Sequence, residues 1–232
     1  YGSPSFPVSM VQDLLVSPAD LTVYGSLSND NIGWAIKGGA VNGAGPDDLF
    51  VSGFFADGPS SRLNSGAVYG ILGSGSFPAN HVITVDSGGD FKLYGGTTYD
   101  FLGRSMAIGD VNADGFGDLI AGATQADPGG RNDAGEGYVI YGGASFPTTN
   151  VWDLKFKNPD IRVMGQLAED HLGESSAVLD IRGDGIKDFF FDVSILHDLI
   201  MKCCMPGIPI SLKPIGESFR RKHEEYIKSN PS

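Results

Sequence analysis

Short apolar segments alternate with clusters of glycine, asparagine and aspartate along most of the chain. Typical apolar segments are DLIAGA at 118–123 and GYVIYG at 137–142, and a polar loop at 124–136 separates these two. The residue types in such segments favour β-structure, and the clusters between them favour tight turns. The pattern therefore predicts many short antiparallel strands joined by turns.

An internal repeat with a period of 70 residues organises this pattern, because similar sequences begin at Tyr24, Tyr94 and Met164. The tripeptide Ser-Phe-Pro recurs at a similar spacing, before a strand-like segment each time, at 5–7, 76–78 and 145–147. About four strands in a repeat of this length are typical of a β-propeller blade. A single blade cannot cover both faces of its sheet, so neighbouring blades have to pack against it.

The predicted fold is therefore all-β, a partial propeller followed by a non-repeat tail. Equivalent positions Ile32, Leu102 and Leu172 are expected to be buried between or within sheets. The predicted propeller region is 1–194, and a tail follows at 195–232. Within the propeller region we predict a lead-in at 1–23, two repeats at 24–93 and 94–163, and a truncated repeat at 164–193.

The tail at 195–232 does not continue the third repeat. Its formal charge is +2, whereas residues 1–194 carry −14. It is either a cap that covers the exposed sheet edge or a sequence foreign to the fold. Nothing in it alternates in phase with the strands it would have to pair, which favours the second interpretation. We then expect no strand pairing between the tail and 164–193.

Composition narrows the function classes. The net charge of −12 disfavours nucleic acid and anionic membrane surfaces as partners and is compatible with cation binding. No apolar run reaches about 18 residues, so no membrane span is expected, and a secretion signal is expected to be absent or already removed. The two cysteines are Cys203 and Cys204, so no disulfide framework can hold the repeats.

The sequence DVNADGFGD at 110–118 has the pattern of a calcium-binding loop. Calcium prefers six to eight hard oxygen ligands, and side chains at alternate positions of one loop can supply several of them. An EF-hand would need a glutamate at position 12, where this chain has an alanine within a strand-like segment. We predict a strand–loop–strand calcium site. Its ligands are Asp110, Asn112, Asp114, Asp118 and the main-chain carbonyl of Phe116.

The equivalent loops of the other two repeats depart from this pattern. The third keeps Asp180, Asp184 and Asp188 as a second candidate calcium site, but Arg182 stands where the middle repeat has an asparagine. The first loop, at 40–48, keeps one carboxylate and one amide at the four ligand positions, which are too few for useful calcium affinity.

The middle repeat resembles the FG-GAP repeat of the integrin α-subunit β-propeller. Phe101–Leu102–Gly103 stands where the family has Phe-Gly, and Gly122–Ala123–Thr124 stands where it has Gly-Ala-Pro. Similar repeats occur in glycosylphosphatidylinositol-specific phospholipase D and in bacterial cell-surface proteins. The resemblance implies a seven-bladed propeller with calcium sites in hairpin loops.

The resemblance also implies a function. We predict a non-catalytic, calcium-binding module at the cell surface or outside the cell that binds a protein or glycan ligand in adhesion. The alternatives are an accessory propeller of a secreted hydrolase of the phospholipase D type and a lectin-like propeller that binds carbohydrate. No catalytic residue and no cofactor other than Ca²⁺ is predicted.

Overall fold

A computed structural model describes residues 14, 19–43, 45–74, 78, 80–147, 150–195 and 198–204. Across these residues the chain forms fourteen β-strands, a four-residue helical turn α1 (Val85–Gly88) and a 3-10 turn (Pro128–Gly130). The strands are β1 (Leu21–Tyr24), β2 (Ile36–Gly39), β3 (Asp48–Gly53), β4 (Ala67–Ile71), β5 (His81–Thr84), β6 (Phe91–Tyr94), β7 (Leu102–Gly109), β8 (Asp118–Ala123), β9 (Glu136–Ile140), β10 (Val151–Asp153), β11 (Ile161–Met164), β12 (Ser176–Leu179), β13 (Asp188–Ile195) and β14 (Asp198–Cys204).

Three consecutive sheets form three blades. Their strand orders are β10-β6-β4-β3-β2 in the first blade, β11-β9-β8-β7 in the second and β12-β13-β14 in the third. Strand β1 pairs with β5 apart from these sheets. The fold class is confirmed, because the chain is almost entirely β-structure arranged as a partial β-propeller. Among the described residues, no helix is long and apolar enough to cross a lipid bilayer.

The blades pack face to face through two apolar cores. The first joins Phe50 of the first blade to Leu119 of the second, and the other joins Ile120 of the second blade to Phe189 of the third. Neighbouring residues of a strand point to opposite faces of its sheet. Successive side chains of strand β8 therefore lie in the two different cores, and all six residues of the strand are buried.

The blades are out of phase with the sequence repeats. Each repeat begins at the end of the outer strand of the preceding blade, at Tyr94 in β6 and at Met164 in β11. Leu102 and Leu172 are fully buried, as predicted, whereas Ile32 is half-buried beside a smaller core. The difference at Ile32 arises because no full sheet precedes the first blade among the described residues.

The expectation that the tail makes no strand pairing with 164–193 is wrong for residues 198–204. Strand β14 pairs antiparallel with β13, from Phe189 opposite Cys204 to Ile195 opposite Asp198. It takes the place beside β13 that β9 takes beside β8. An uncovered β13 would leave backbone donors and acceptors unpaired at a sheet edge. A seven-residue extended segment satisfies them whether or not its side chains follow the repeat pattern. The rest of the tail, 205–232, lies outside the described residues.

A strand from one repeat also completes the outer edge of the preceding one. Strand β5 lies parallel to β1, and β10 lies parallel to β6 as a fifth strand of the first blade. In both cases the added strand follows a Ser-Phe-Pro tripeptide. The ring of Phe146 packs beside β6, 4.9 Å from that of Phe91 between centroids. Each such strand ties two repeats together.

Two glycines bring consecutive blades into backbone contact. Gly66 forms a parallel bridge with Leu102, and Gly135 forms the same bridge with Leu172. Both glycines have a φ of +77°. A Cβ atom on Gly135 would lie 2.3 Å from the Leu172 nitrogen, so a side chain cannot be added without moving backbone.

Candidate metal centre

The loop between β7 and β8 carries the predicted calcium ligands. Asp110 accepts hydrogen bonds from the N–H groups of Asp114 (3.1 Å) and Gly115 (2.9 Å). The side-chain carbonyl of Asn112 accepts a third from the Asp114 N–H (3.0 Å), and Asp114 accepts one from the Phe116 N–H (2.9 Å). These bonds hold the side-chain oxygens of all three ligands within one short exposed loop.

Asp118 is fully buried at the start of β8. One oxygen accepts a hydrogen bond from the Val111 N–H (2.8 Å) and the other from the Gly142 N–H (2.9 Å). Burial, together with the smaller effect of the charges of Asp114 and Asp110, raises the pKa of Asp118 to about 6, although the two N–H donors act to lower it. The three carboxylates therefore act on one another electrostatically.

The donor set of this loop fits calcium. It offers three carboxylates and one amide oxygen, which are hard ligands, and a carboxylate that accepts one hydrogen bond per oxygen retains further acceptor capacity. Among the described residues, no three His, Cys, Asp or Glu side chains are already grouped to hold one metal ion. An ion would therefore have to draw the half-buried Asp110 and the exposed Asp114 towards Asp118.

The aspartate at position nine has a structural role in the first blade as well. Asp48 is fully buried and accepts hydrogen bonds from the N–H groups of Val41 (3.0 Å) and Gly73 (2.8 Å). Its loop lacks the other two carboxylates of the pattern and keeps only Asn42 beside it. Asp48 and Asp118 thus tie the hairpin loop to the end of the next strand independently of any metal.

All three loops share one backbone shape. The residue at position four has a φ of 63° to 69° in Gly43, Ala113 and Gly183, and the glycine at position six has a φ of 78° to 90°. The loop fold is therefore set by these left-handed positions and by the aspartate at position nine. The capacity for a cation depends on positions one, three and five.

The third loop contains a positively charged side chain, that of Arg182. Asp180 accepts hydrogen bonds from the Gly185 N–H and two others, which lower the pKa of Asp180. Arg182 turns inward, with Nη2 at 3.3 Å from Asp184 and 3.2 Å from the buried Asp188. These contacts are ion pairs, and the second lacks hydrogen-bond alignment. The guanidinium occupies the region that a metal ion would need.

A second feature lies at the other end of the blade strands. A cavity of about 450 Å³ is lined by aromatic rings and by an ion pair between the second and third blades. Arg104 donates two hydrogen bonds to Glu174, at 3.0 and 2.7 Å. The Arg104 guanidinium also lies 4.6 Å from the ring centroid of Trp34, which is 52% exposed. Trp34 lies beside the cavity, with its ring 4.7 Å from that of Phe54. Besides Arg104 and Glu174, the lining residues are Phe54, Phe55, Phe101, Thr124, Gln125 and His171.

Sequence reasoning did not identify this cavity. Its residues come from loops of three different repeats, and those loops differ in sequence. A signal was present in Phe54, Phe55 and Phe101, which are aromatic residues directly beside strand ends. Their proximity could only be known once the blades were assembled.

The family assignment agrees with this geometry. Residues 102–140, which run from β7 through the metal loop to the end of β9, match the FG-GAP repeat. The chain carries an FG-GAP repeat. The first and third hairpin loops have the backbone shape of the one within the matched FG-GAP repeat, although they lie outside the match.

Similar proteins extend the likeness beyond the single FG-GAP repeat. The chain is 29% identical to phosphatidylinositol-glycan-specific phospholipase D of Dictyostelium discoideum over 82% of its own length. It is 36% identical to the Bos taurus protein of that name over 39% of its length and 32% identical to the Mus musculus one over 51%. The chain spans 22%, 11% and 13% of these relatives, respectively.

Proposed function

We propose that this chain is a non-catalytic, calcium-stabilised propeller module that works outside the cell and binds a protein or glycan ligand. The observation that carries the proposal is a contrast between two equivalent loops. Loop 180–188 balances its aspartates with Arg182, whereas loop 110–118 has three mutually interacting carboxylates and no lysine or arginine. Charge balance in loop 110–118 therefore calls for an external cation.

Calcium in loop 110–118 would be held by Asp110, Asn112, Asp114 and Asp118, with the carbonyl of Phe116. The ion would supply positive charge at the mouth of the hairpin and so hold β7 and β8 together. Nothing in this role requires bond-making chemistry. We propose a single calcium site, because Arg182 already neutralises the third loop.

The ligand surface in this proposal is the aromatic cavity at the opposite end of the strands. Exposed aromatic rings that are rigidly supported are typical of recognition surfaces for proteins. Arg104 supports the surface, since it contacts Trp34 and is fixed by Glu174. The proposal predicts that a bound ligand changes the fluorescence of Trp34, measured in a Trp152→Phe background so that Trp34 is the only tryptophan. A Trp34 signal unchanged by a ligand that binds would place the binding surface elsewhere.

An accessory role beside a hydrolase is the second candidate. It is favoured by the similarity to three proteins named phosphatidylinositol-glycan-specific phospholipase D. The chain covers about a fifth or less of those proteins. In this version of the proposal the propeller positions a catalytic domain that lies outside these 232 residues, and it still binds calcium in the same loop.

Calcium titration of thermal stability tests the metal site. A ligand that binds only the folded state stabilises it by about 2.7 kcal/mol at a hundredfold excess over the dissociation constant. We expect the unaltered chain to gain stability with calcium. Asp114→Asn should remove most of that gain because it takes one carboxylate from the site. Thermal unfolding followed by circular dichroism, with calcium and with chelator, measures both effects.

Asp184→Asn is the matched control, since it makes the same change at the same loop position in the third blade. It should leave the calcium-dependent gain intact, although it removes an ion pair with Arg182. Equal calcium responses in the two variants would contradict a site at 110–118. Asp48→Ala is a poor control, because Asp48 is buried and bonds two backbone amides.

A further inference from the structure

The outer strand of the second blade has an open edge. Strand β11 pairs with β9 on one side and has no other neighbour among the described strands. In the first blade, the corresponding edge of β6 is covered by β10. The Lys92 N–H donates to the Asn150 carbonyl (2.8 Å), and the Leu154 N–H donates to the Tyr94 carbonyl (3.1 Å).

Covering an outer strand buries it. In β6, Phe91 and Leu93 are fully buried and Tyr94 is 9% exposed. In β11, Met164 takes the position of Tyr94 and is 47% exposed. Its neighbour Val163 is only half-buried. Within the described residues, the edge of β11 therefore presents both backbone without a partner strand and incompletely buried side chains.

An ion pair also holds the covering strand β10 in place. Arg62, in the loop before β4, pairs with Asp153 at the end of β10, with Nη2 and Oδ1 2.7 Å apart. Both side chains are largely buried, at 6% and 14% exposure. Sequence alignment of the two repeats places Arg131 of the second blade at the position of Arg62.

Arg131 lies beside the open edge. Its Nε donates a hydrogen bond to the carbonyl of Gly165 (3.0 Å), which directly follows β11. Its Nη2 lies 4.0 Å from the sulfur of Met164. Within the part of the chain that the structure describes, no carboxylate lies at ion-pair distance from Arg131. The second blade thus has the strand edge and the arginine that accept β10 in the first blade, but none of the described strands pairs with this edge.

A matching strand is encoded in the chain itself. The segment SFPVSMVQDL at 5–14 repeats the pattern of SFPTTNVWDL at 145–154, with the same tripeptide and the same Val-x-Asp-Leu ending. Asp13 takes the position of Asp153 and Phe6 that of Phe146. No further Ser-Phe-Pro follows residue 147 within these 232 residues.

We propose that residues 5–14 of a second copy of the chain add to β11 as a parallel fifth strand. Val11 to Asp13 pair with Arg162 to Met164 in this arrangement, Phe6 packs beside Ile161, and Asp13 forms an ion pair with Arg131. The contact is heterologous, because it joins two different surfaces of the chain. Each copy donates its segment 5–14 to one neighbour and accepts the segment of another at the edge of its own β11. One short strand buries far less than the about 1,200 Å² of a stable interface, so the association is weak.

Charge exchange tests this proposal without relying on loss of folding. We expect the unaltered full-length chain to associate in a concentration-dependent way between about 10 μM and 1 mM in sedimentation velocity. Arg131→Asp and Asp13→Arg should each weaken self-association at least tenfold, because each places like charges at the contact. An equimolar mixture of the two variants should associate like the unaltered chain, because each contact between them joins opposite charges.

Three outcomes would overturn the proposal. These are a chain that stays monomeric over the whole range, single variants that associate as strongly as the unaltered chain, and a mixture that remains monomeric. Circular dichroism of each variant checks that its sheet content is unchanged. Phe6→Ala serves as a second variant that leaves every charge in place, and it should weaken association of the otherwise unaltered chain.

Discussion

Gly135→Ala is expected to destabilise the chain by about 3 kcal/mol or more, which is a large effect for one added methyl group. Two causes combine. Gly135 has a φ of +77°, which L residues adopt at a cost of roughly 1 kcal/mol. The added Cβ would also lie 2.3 Å from the nitrogen and 2.4 Å from the oxygen of Leu172, both backbone atoms of the next blade. Chemical denaturation measures the loss.

Gly130→Ala separates the two causes. Gly130 lies in the same loop with a φ of +76°, and nothing lies within 4 Å of the position of its Cβ. This variant should show only the backbone strain, roughly 1 kcal/mol. If Gly130→Ala and Gly135→Ala lose the same free energy of unfolding, the close contact between Gly135 and Leu172 does not hold the two blades together.

Exchanging the residues at position three of the two loops is expected to exchange their calcium response. Asn112→Arg places a guanidinium where Arg182 lies in the third blade, so we expect it to abolish the calcium-dependent gain of about 2.7 kcal/mol at a hundredfold excess. Stability in chelator should not fall, because the arginine neutralises the carboxylates. Arg182→Asn should create a second responsive loop and lower stability in chelator.

The double variant checks that position three alone is responsible. A chain with both Asn112→Arg and Arg182→Asn should keep one calcium-dependent transition, now due to the third blade. Isothermal titration calorimetry counts the sites directly. The explanation based on Arg182 would be wrong if Arg182→Asn bound no additional calcium while Asn112→Arg still bound one ion.

The blades could be predicted because their periodicity is local. After Asp118, strand β8 is apolar, with Leu119 and Ile120 in two different cores. Such a run between turn clusters indicates a strand covered on both faces. The parallel fifth strands could not be predicted. Strand β10 has three residues and pairs with a strand 59 positions earlier, and no local pattern distinguishes it from a loop.

Calcium binding by loop 110–118 stays a prediction based on residue type, and the sequence did not show that its ninth residue also fixes the loop through backbone hydrogen bonds. A signal was available, because the first loop keeps Asp48 although it lacks the other two carboxylates. The direction of Arg182 could not be read from sequence, since it depends on the buried position of Asp188. The pairing of β14 was missed because backbone hydrogen bonds at an exposed edge do not require a repeating side-chain pattern.

The strand exchange between repeats has a consequence for synthesis on the ribosome. The outer edge of the first blade is closed by β10, whose residues are made 59 positions after those of β6. At about 5 to 20 residues per second, this edge stays open for roughly 3 to 12 s after β6 emerges. The first blade is therefore completed only after most of the next repeat has been made. During that interval nascent chains on neighbouring ribosomes can exchange strands, so translation rate and chaperone access influence how many molecules reach the correct pairing.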